Sequence, residues 1–292
     1  MNEIQNFQIM IKMMASTSEG NKMIKDKVFT IPDTNKEEIK KLNGIFNIED
    51  EIRIDNKDIS LNIYGVHIRR LKLDNEINNE QNNEKNNEKN NERKCIIFSH
   101  GTSSDIYNIY SYLQEFSEKY NVDVITYDYP CYGLSTSSDN DIHEKLCYTC
   151  HENVVEYALD IGFEQHNIIL IGQSLGTGVV VDYVNKSEWT NQIVLISPYT
   201  SIPRIIINDD IVDNLTDRYN FFTLNKIHNI KCGVYILHGN KDDLIPHSHS
   251  IQIFNKLNEN IKKKSKLKII HDAGHGDIMS KITDENVFDM LN

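Results

Sequence analysis

The chain has 292 residues, room for one large domain or two modest ones of roughly 100–200 residues each, and ample length to bury a core. Its 31 Lys and Arg against 43 Asp and Glu leave a formal net charge of −12, which disfavours a nucleic-acid-coating surface and repels an anionic membrane, because phosphate binding needs a local cationic excess. No stretch approaches the ~18 uninterrupted apolar residues of a spanning helix, and only 13 Gly and 5 Pro are present, about half of average usage, so their positions carry information.

In the N-terminal apolar run Phe7 to Met14, Gln8 and Lys12 are interruptions, and Glu3 stands where a secretory leader carries positive charge. No signal peptide is expected. Asn2 offers no myristoylation site, and Asp289-Met290-Leu291-Asn292 no prenylatable cysteine. Residues 1–50 read as an extension with one helix at Lys36 to Leu42. Alternating runs at Glu51 to Ile54 and Ile59 to Ile68 predict two strands of a hairpin-like start to a domain over 51–292. Residues 75–93, NEINNEQNNEKNNEKNNER, hold Ile77 as their single apolar residue. Such a repeat cannot bury enough surface to offset its ordering entropy and reads as a disordered insert.

Beyond the insert, β-rich runs recur at Lys94 to Ser99, Val122 to Tyr127, Ile168 to Gly172, Gln192 to Ser197, Gly233 to Leu237 and Lys266 to Ile270. Segments of helical period lie between them, such as Ile106, Ile109, Tyr110, Leu113 and Phe116, then Cys150, Val154 and Ala158. Strands alternating with helices predict an α/β fold with a mostly parallel, doubly wound sheet and helices on both faces. In such a sheet ligands sit beyond the carboxyl ends of the strands.

Chemistry-bearing residues fall at those ends. Ile168 to Ile171 runs into Gly172-Gln173-Ser174-Leu175-Gly176, followed by a helical segment, which is G-x-S-x-G in its strand–turn–helix context. Backbone crowds so closely around a serine projected from that turn that a Cβ at either glycine would clash. A free serine hydroxyl is a weak nucleophile and needs a base and an orienting acid. His238-Gly239-Asn240-Lys241-Asp242-Asp243 follows one later run and His271-Asp272-Ala273-Gly274-His275-Gly276-Asp277 the next. The order Ser, Asp, His is that of α/β-hydrolases. Ser174 is assigned as nucleophile, Asp242 as acid and His275 as base; Asp243 and His271 are the rivals of the last two. The loop Ser99-His100-Gly101-Thr102 ends another run, and the backbone N–H groups of Thr102 and Leu175 are the expected oxyanion hole. His100 is expected to brace that loop.

Ser99-His100-Gly101, Asp128-Tyr129-Pro130-Cys131-Tyr132-Gly133, the serine turn, Ser197-Pro198, His238 to Asp242 and Ala273 to Asp277 together resemble the α/β-hydrolase superfamily over about residues 94–282. The chain looks most like the protein-depalmitoylase branch of the α/β-hydrolase-domain proteins and related esterases. The resemblance implies the α/β-hydrolase fold and a serine hydrolase that needs no cofactor. It departs at three points. Members of that branch carry a cysteine-rich, lipid-modified N-terminus, whereas residues 1–94 contain no cysteine; Cys131 stands where the family usually has glycine; and Ser197 to Gly233 leaves room only for a small cap or none.

Other motifs read more plainly. Cys95, Cys131, Cys147, Cys150 and Cys232 are odd in number and scattered, which fits a reducing compartment. Cys147-Tyr148-Thr149-Cys150-His151 matches the C-x-x-C-H haem-attachment pattern, but Cys147, Cys150 and Val154 form an apolar helical stripe. His238, His247 and His249 lack a further ligand at metal-site spacing, and Pro246 is expected to open a helix that carries the last two on its surface. Lys262, Lys263, Lys264, Lys266 and Lys268 read as a solvated patch. The expected protein is a cytoplasmic hydrolase, or one peripheral to membranes, without metal or cofactor, acting on a small-molecule or lipid-like ester or an acylated protein through an acyl-enzyme on Ser174. An oligopeptidase-like peptidase, an acyltransferase and an inactive binding protein on the same fold are the alternatives.

Overall fold

The structure, a computed structural model, describes residues 17–70, 93–206 and 218–291. The Asn-rich insert, Arg93 apart, and the run Phe7 to Met14 lie outside the described residues. Strands β1 (Ile45–Ile54) and β2 (Lys57–Ile68) form an antiparallel hairpin in register Ile45 with Val66 through Ile54 with Lys57. Asp55 and Asn56 turn it at φ 51° and 65°, the doubly positive two-residue turn whose twist matches that of the flanking strands. β1 starts at Ile45, six residues ahead of the strand expected from Glu51, because Glu49, Asp50 and Glu51 mask the alternation that puts Ile48, Ile52 and Ile54 against the core.

The sheet continues through β3 (Cys95–Ser99), β4 (Asp123–Tyr127), β6 (Ile168–Gln173), β7 (Ile193–Ile196), β8 (Val234–Gly239) and β9 (Lys266–Ile270), with a two-residue strand β5 (Thr136–Ser137) paired to β2. The order is β1-β2-β4-β3-β6-β7-β8-β9, and every pairing from β4 to β9 is parallel. The chain runs from β3 to β4 on one side and returns across β3 to β6 on the other. That reversal opens a crevice at the carboxyl ends of β3 and β6.

From β3 to β8 both faces of the parallel strands are buried, which is why they read as continuous apolar runs rather than alternating ones. Ile97, Ile125, Leu170, Ile193 and Leu195 belong to one core layer; Ile96, Phe98, Val124, Ile169 and Ile171 belong to the other. The helix at Glu144–Asp160 buries Cys147, Cys150 and Val154 as the apolar stripe. At the sheet edge, β9 alternates exposed Lys266 and Lys268 with partly buried Leu267 and Ile269. Charged side chains on an edge strand discourage pairing with a second sheet.

The residues ahead of β1 pack into this framework. Helix α1 (Ser18–Val28) is capped by the Thr17 side chain, which accepts from the Gly20 amide at 3.0 Å. Val28 and Phe29 belong to the core, and the Phe29 ring meets Tyr219 and Phe221 edge-on at 6.1 and 6.2 Å. Burying a ring of this size contributes about 1.5–3 kcal/mol. A short helix at Lys36–Ile39 stops before the expected Leu42 and buries Ile39 completely.

Candidate active site

Ser174 follows β6 directly and begins the helix Leu175–Lys186 at φ 50°, ψ −117°. The turn is steep because backbone crowds it: a Cβ on Gly172 would lie 2.5 Å from the Gly176 carbonyl oxygen, and one on Gly176 2.1 Å from that of Ser99. A non-glycine residue in left-handed backbone costs energy that the surroundings must supply. The Ser174 amide donates to the Ile196 carbonyl at 2.9 Å, which ties the turn to β7.

His275 Nε2 stands 3.0 Å from Ser174 Oγ, and Nδ1 lies 2.8 Å from Asp242 Oδ2. A carboxylate only accepts, so Nδ1 carries the proton and Nε2 is the lone-pair nitrogen facing the serine hydroxyl. Asp242 Oδ1 accepts from the amides of Leu244 at 3.1 Å and Ile245 at 2.8 Å. Burial pushes the Asp242 carboxyl up, but hydrogen bonds to His238 and His275 and from the Ile245 amide outweigh it and hold the group well below the usual carboxylate range. Asp243 and His271, the rivals, are exposed. The loops after β8 and β9 thus bring Asp242 and His275, out of each adjacent choice, to Ser174.

A second histidine at the acid went unassigned in the sequence. His238 is fully buried, its Nε2 donating to the Ile245 carbonyl at 2.7 Å and lying 3.3 Å from Asp242 Oδ2, while Nδ1 meets Ser250 Oγ at 2.6 Å. The carbonyl fixes Nε2 as the protonated nitrogen, so the ring presents an N–H to the carboxylate. Its spacing, four residues before Asp242 at a strand end, is the signal that could have found it. His249 also departs from expectation. It is buried rather than on the helix surface, and its Nδ1 accepts from Thr200 Oγ1 at 2.9 Å. Among the described residues no cluster of three or more His, Cys, Asp or Glu is arranged to hold a metal ion.

The loop after β3 lies against the serine: a Cβ on Gly101 would be 3.3 Å from Ser174 Cβ. His100 braces it, donating from Nδ1 to the Gly101 carbonyl at 2.8 Å, with Nε2 3.4 Å from buried Asp128. Tyr129 adds a bond to the His100 carbonyl at 3.1 Å. Leu175 is the first residue of its helix, so its N–H is one of the four that a helix leaves without an internal partner. Among the described residues neither the Thr102 nor the Leu175 amide has an acceptor within the protein.

Comparison with known proteins agrees with the sheet order. Residues 96–220 match the Alpha/beta hydrolase family, and residues 178–290 match the Prolyl oligopeptidase family. An alpha/beta hydrolase of Acanthamoeba polyphaga mimivirus, L404, is 42% identical over 201 residues, 68% of this chain and 73% of that protein. Alpha/beta hydrolase domain-containing protein 17B of Homo sapiens is 29% identical over 184 residues, covering 63% of this chain and 60% of the human protein. The matching protein 17C of Xenopus tropicalis is 28% identical, and the match spans 57% of its length. Among solved structures, the Pyrococcus furiosus esterase Pf2001 superposes with a TM-score of 0.59 at 15% identity, over 90% of this chain and 94% of the esterase. That likeness speaks to the fold. No helix of the described residues is long and apolar enough to cross a membrane. With the mimivirus relative matched over most of its length and the sheet in this order, the chain is a member of the alpha/beta hydrolase family.

Proposed function

We propose that the protein is a serine hydrolase that cleaves carboxylic esters or thioesters through an acyl-enzyme on Ser174. The observation that carries this reading is the continuous line from Ser174 Oγ through His275 to Asp242, at 3.0 and 2.8 Å, on a strained turn. Ser174 Oγ attacks the acyl carbonyl as its proton passes to His275 Nε2, and Asp242 stabilises the imidazolium without taking the proton. The Thr102 and Leu175 amides receive the developing oxyanion. Collapse expels the alcohol or thiol, which leaves with the proton from His275. Water, deprotonated by the same nitrogen, then attacks the acyl-enzyme and releases the acid.

A fluorophosphonate probe should label wild-type protein and fail to label Ser174→Ala, with ester turnover lost in parallel. A serine variant that kept its rate would sink the assignment. The match of residues 178–290 to the Prolyl oligopeptidase family supports a second reading, a peptidase. Turnover of aryl esters against aminopeptide amides separates the two. A panel of p-nitrophenyl esters from acetate to palmitate, with a palmitoyl thioester added, then sets chain length. Preference for the long thioester would support the depalmitoylase reading, and a short-chain optimum a general carboxylesterase.

A further inference from the structure

Thr102 is held from an unexpected direction. Its hydroxyl donates to the carbonyl of Val28, accepts from the amide of Thr30 at 2.9 Å, and lies 3.3 Å from Tyr132 Oη. Its own carbonyl accepts from Tyr132 at 2.7 Å. The side chain is therefore gripped by two backbone groups of a segment more than seventy positions earlier in the chain, and the residue's carbonyl by a buried tyrosine. Thr102 adjoins Gly101, which packs on Ser174. His100 Nδ1 holds the Gly101 carbonyl, which shares a peptide plane with the Thr102 N–H, at 2.8 Å, so with the side chain and carbonyl of Thr102 pinned as well the direction of its amide is fixed.

The segment that does the gripping is itself anchored. Phe29 sits between the two residues that bond Thr102, buried and edge-on to Tyr219 and Phe221. One turn earlier, Lys25 pairs with Asp141 at 2.7 Å, and Asp141 also pairs with Arg218 at 3.1 Å. A strap buried at Phe29 and pinned at Lys25 has little freedom to drift from the loop. The arrangement is costly to dismiss as packing alone, since a valine at 102 would fill the same volume without either bond.

We infer that residues 28–30 are a positioning strap for the oxyanion hole, setting the Thr102 amide through the Thr102 hydroxyl. This rests on the serine-hydrolase reading above. The strap makes no contact with reacting atoms; it acts by holding an amide where charge develops, and donors at an oxyanion site are effective only when their direction is set before the reaction. Misplacement by about 1 Å in such a site can cost on the order of a hundredfold in rate. Thr102 and Thr30 therefore govern kcat and leave ground-state binding of the ester nearly untouched.

Full-length variants test this from both sides. Thr102→Val removes the hydroxyl and keeps the shape, Thr102→Ser keeps the hydroxyl, and Lys25→Met unpins the strap from Asp141 without touching the loop. Expected are a fall in kcat of about 10- to 100-fold for Thr102→Val, a smaller fall for Lys25→Met, little change in KM for either, and a rate near wild type for Thr102→Ser. Fluorophosphonate labelling should slow in step. Lys25→Met added to Thr102→Val should cost nothing more, because without the hydroxyl the strap no longer acts on the amide. A general loss of packing would lower the melting temperature and give additive effects on rate. The inference is overturned if Thr102→Val keeps the wild-type kcat, if Thr102→Ser falls as far as Thr102→Val, or if the double variant is additive. Should Thr102→Val fail to fold, Thr102→Ala against Thr102→Ser decides alone: an equal kcat overturns the strap. Wild type and Ser174→Ala run beside them separate the two ideas. Loss of turnover in Ser174→Ala with full activity in Thr102→Val and Lys25→Met removes only the strap, whereas a wild type without turnover or label removes both.

Discussion

Two serine–histidine pairs lie at the carboxyl ends of neighbouring strands, and they differ in everything except the pairing. Ser174 Oγ is 3.0 Å from His275 Nε2; Ser99 Oγ is 3.2 Å from His151 Nδ1. Behind His275 stands the Asp242 carboxylate. Among the described residues no carboxylate pairs with His151: its Nδ1 also lies 3.1 Å from Tyr127 Oη, and its ring meets Tyr183 edge-on. The His275 side chain is 19% exposed, whereas His151 is fully buried and burial pushes its imidazole down to about 3. An imidazole that must remain neutral cannot carry a proton between nucleophile and leaving group. Contact between a serine and a histidine is therefore no sign of a nucleophile by itself; an acid to stabilise the charged ring and an opening to solvent make the difference.

The largest effect expected to sharpen this contrast is at the nucleophile. Ser174→Ala should lower kcat on an activated ester by up to on the order of a millionfold, as removal of a triad serine does elsewhere. Next is the acid. Asp242→Asn keeps the shape, but an amide nitrogen can donate to His275 Nδ1 and turn the ring to the wrong tautomer, a change that costs about ten-thousandfold in a comparable site. Single-turnover acylation rates measure both. If Asp242→Asn acylates at the wild-type rate, the carboxylate is not what distinguishes the two pairs.

Much of the distinction was legible in the sequence, for local reasons. The turn at Ser174 needs glycine at 172 and 176, and both are written in one short stretch. Asp242 follows the continuous apolar run of β8 and His275 the alternating run of β9, which puts both at carboxyl ends. Choosing Asp242 over Asp243 required the Leu244 and Ile245 amides, whose approach depends on the turn after β8. His238 was visible only as a histidine of no assigned use, because its partners are a backbone carbonyl and a serine twelve residues away. The strap at Val28 to Thr30 was illegible: no periodicity signals a hydroxyl bonded to backbone across so long a separation. Helix α1 carries Gly20 and few apolar residues and owes its place to Thr17, Lys25 and the burial of Val28 and Phe29.

Acid should separate the pairs in stability rather than rate. His151 is held at about 3, and His143 and His249 at about 4, chiefly by burial, against ~6.5 for an unfolded histidine. Between those values the unfolded chain binds protons that the folded chain refuses. Stability is then full above ~6.5 and declines as the pH falls toward the folded values, by up to about 1.4 kcal/mol per pH unit for each group. Asp242, with its carboxyl depressed, contributes stability that is whole above ~3.9, the unfolded carboxyl's value, and is lost as the pH falls below it toward the folded value. His151→Gln should flatten the dependence of the urea midpoint on pH between 7 and 5. An unchanged slope would mean that this imidazole is not held neutral.

The smallest expected effect is at the other serine. Ser99→Ala removes a hydroxyl that meets both His151 Nδ1 and Tyr127 Oη and leaves those two paired with each other, so the cost should be about 1–2 kcal/mol, that of one or two net hydrogen bonds. The backbone survives the change: the close approach at Gly176 is to the Ser99 carbonyl and Cβ, both of which alanine retains. The Ser99 amide and carbonyl also stay in the sheet beside Gly172, so the serine turn keeps its neighbour. Ester turnover should consequently match wild type while the melting temperature falls by a few degrees, roughly 2–4 °C per kcal/mol for a domain of this size. A loss of rate larger than the loss of stability would show that the buried pair communicates with Ser174 through the turn they share, and the contrast between a working and a structural serine–histidine pair would have to be redrawn around that contact.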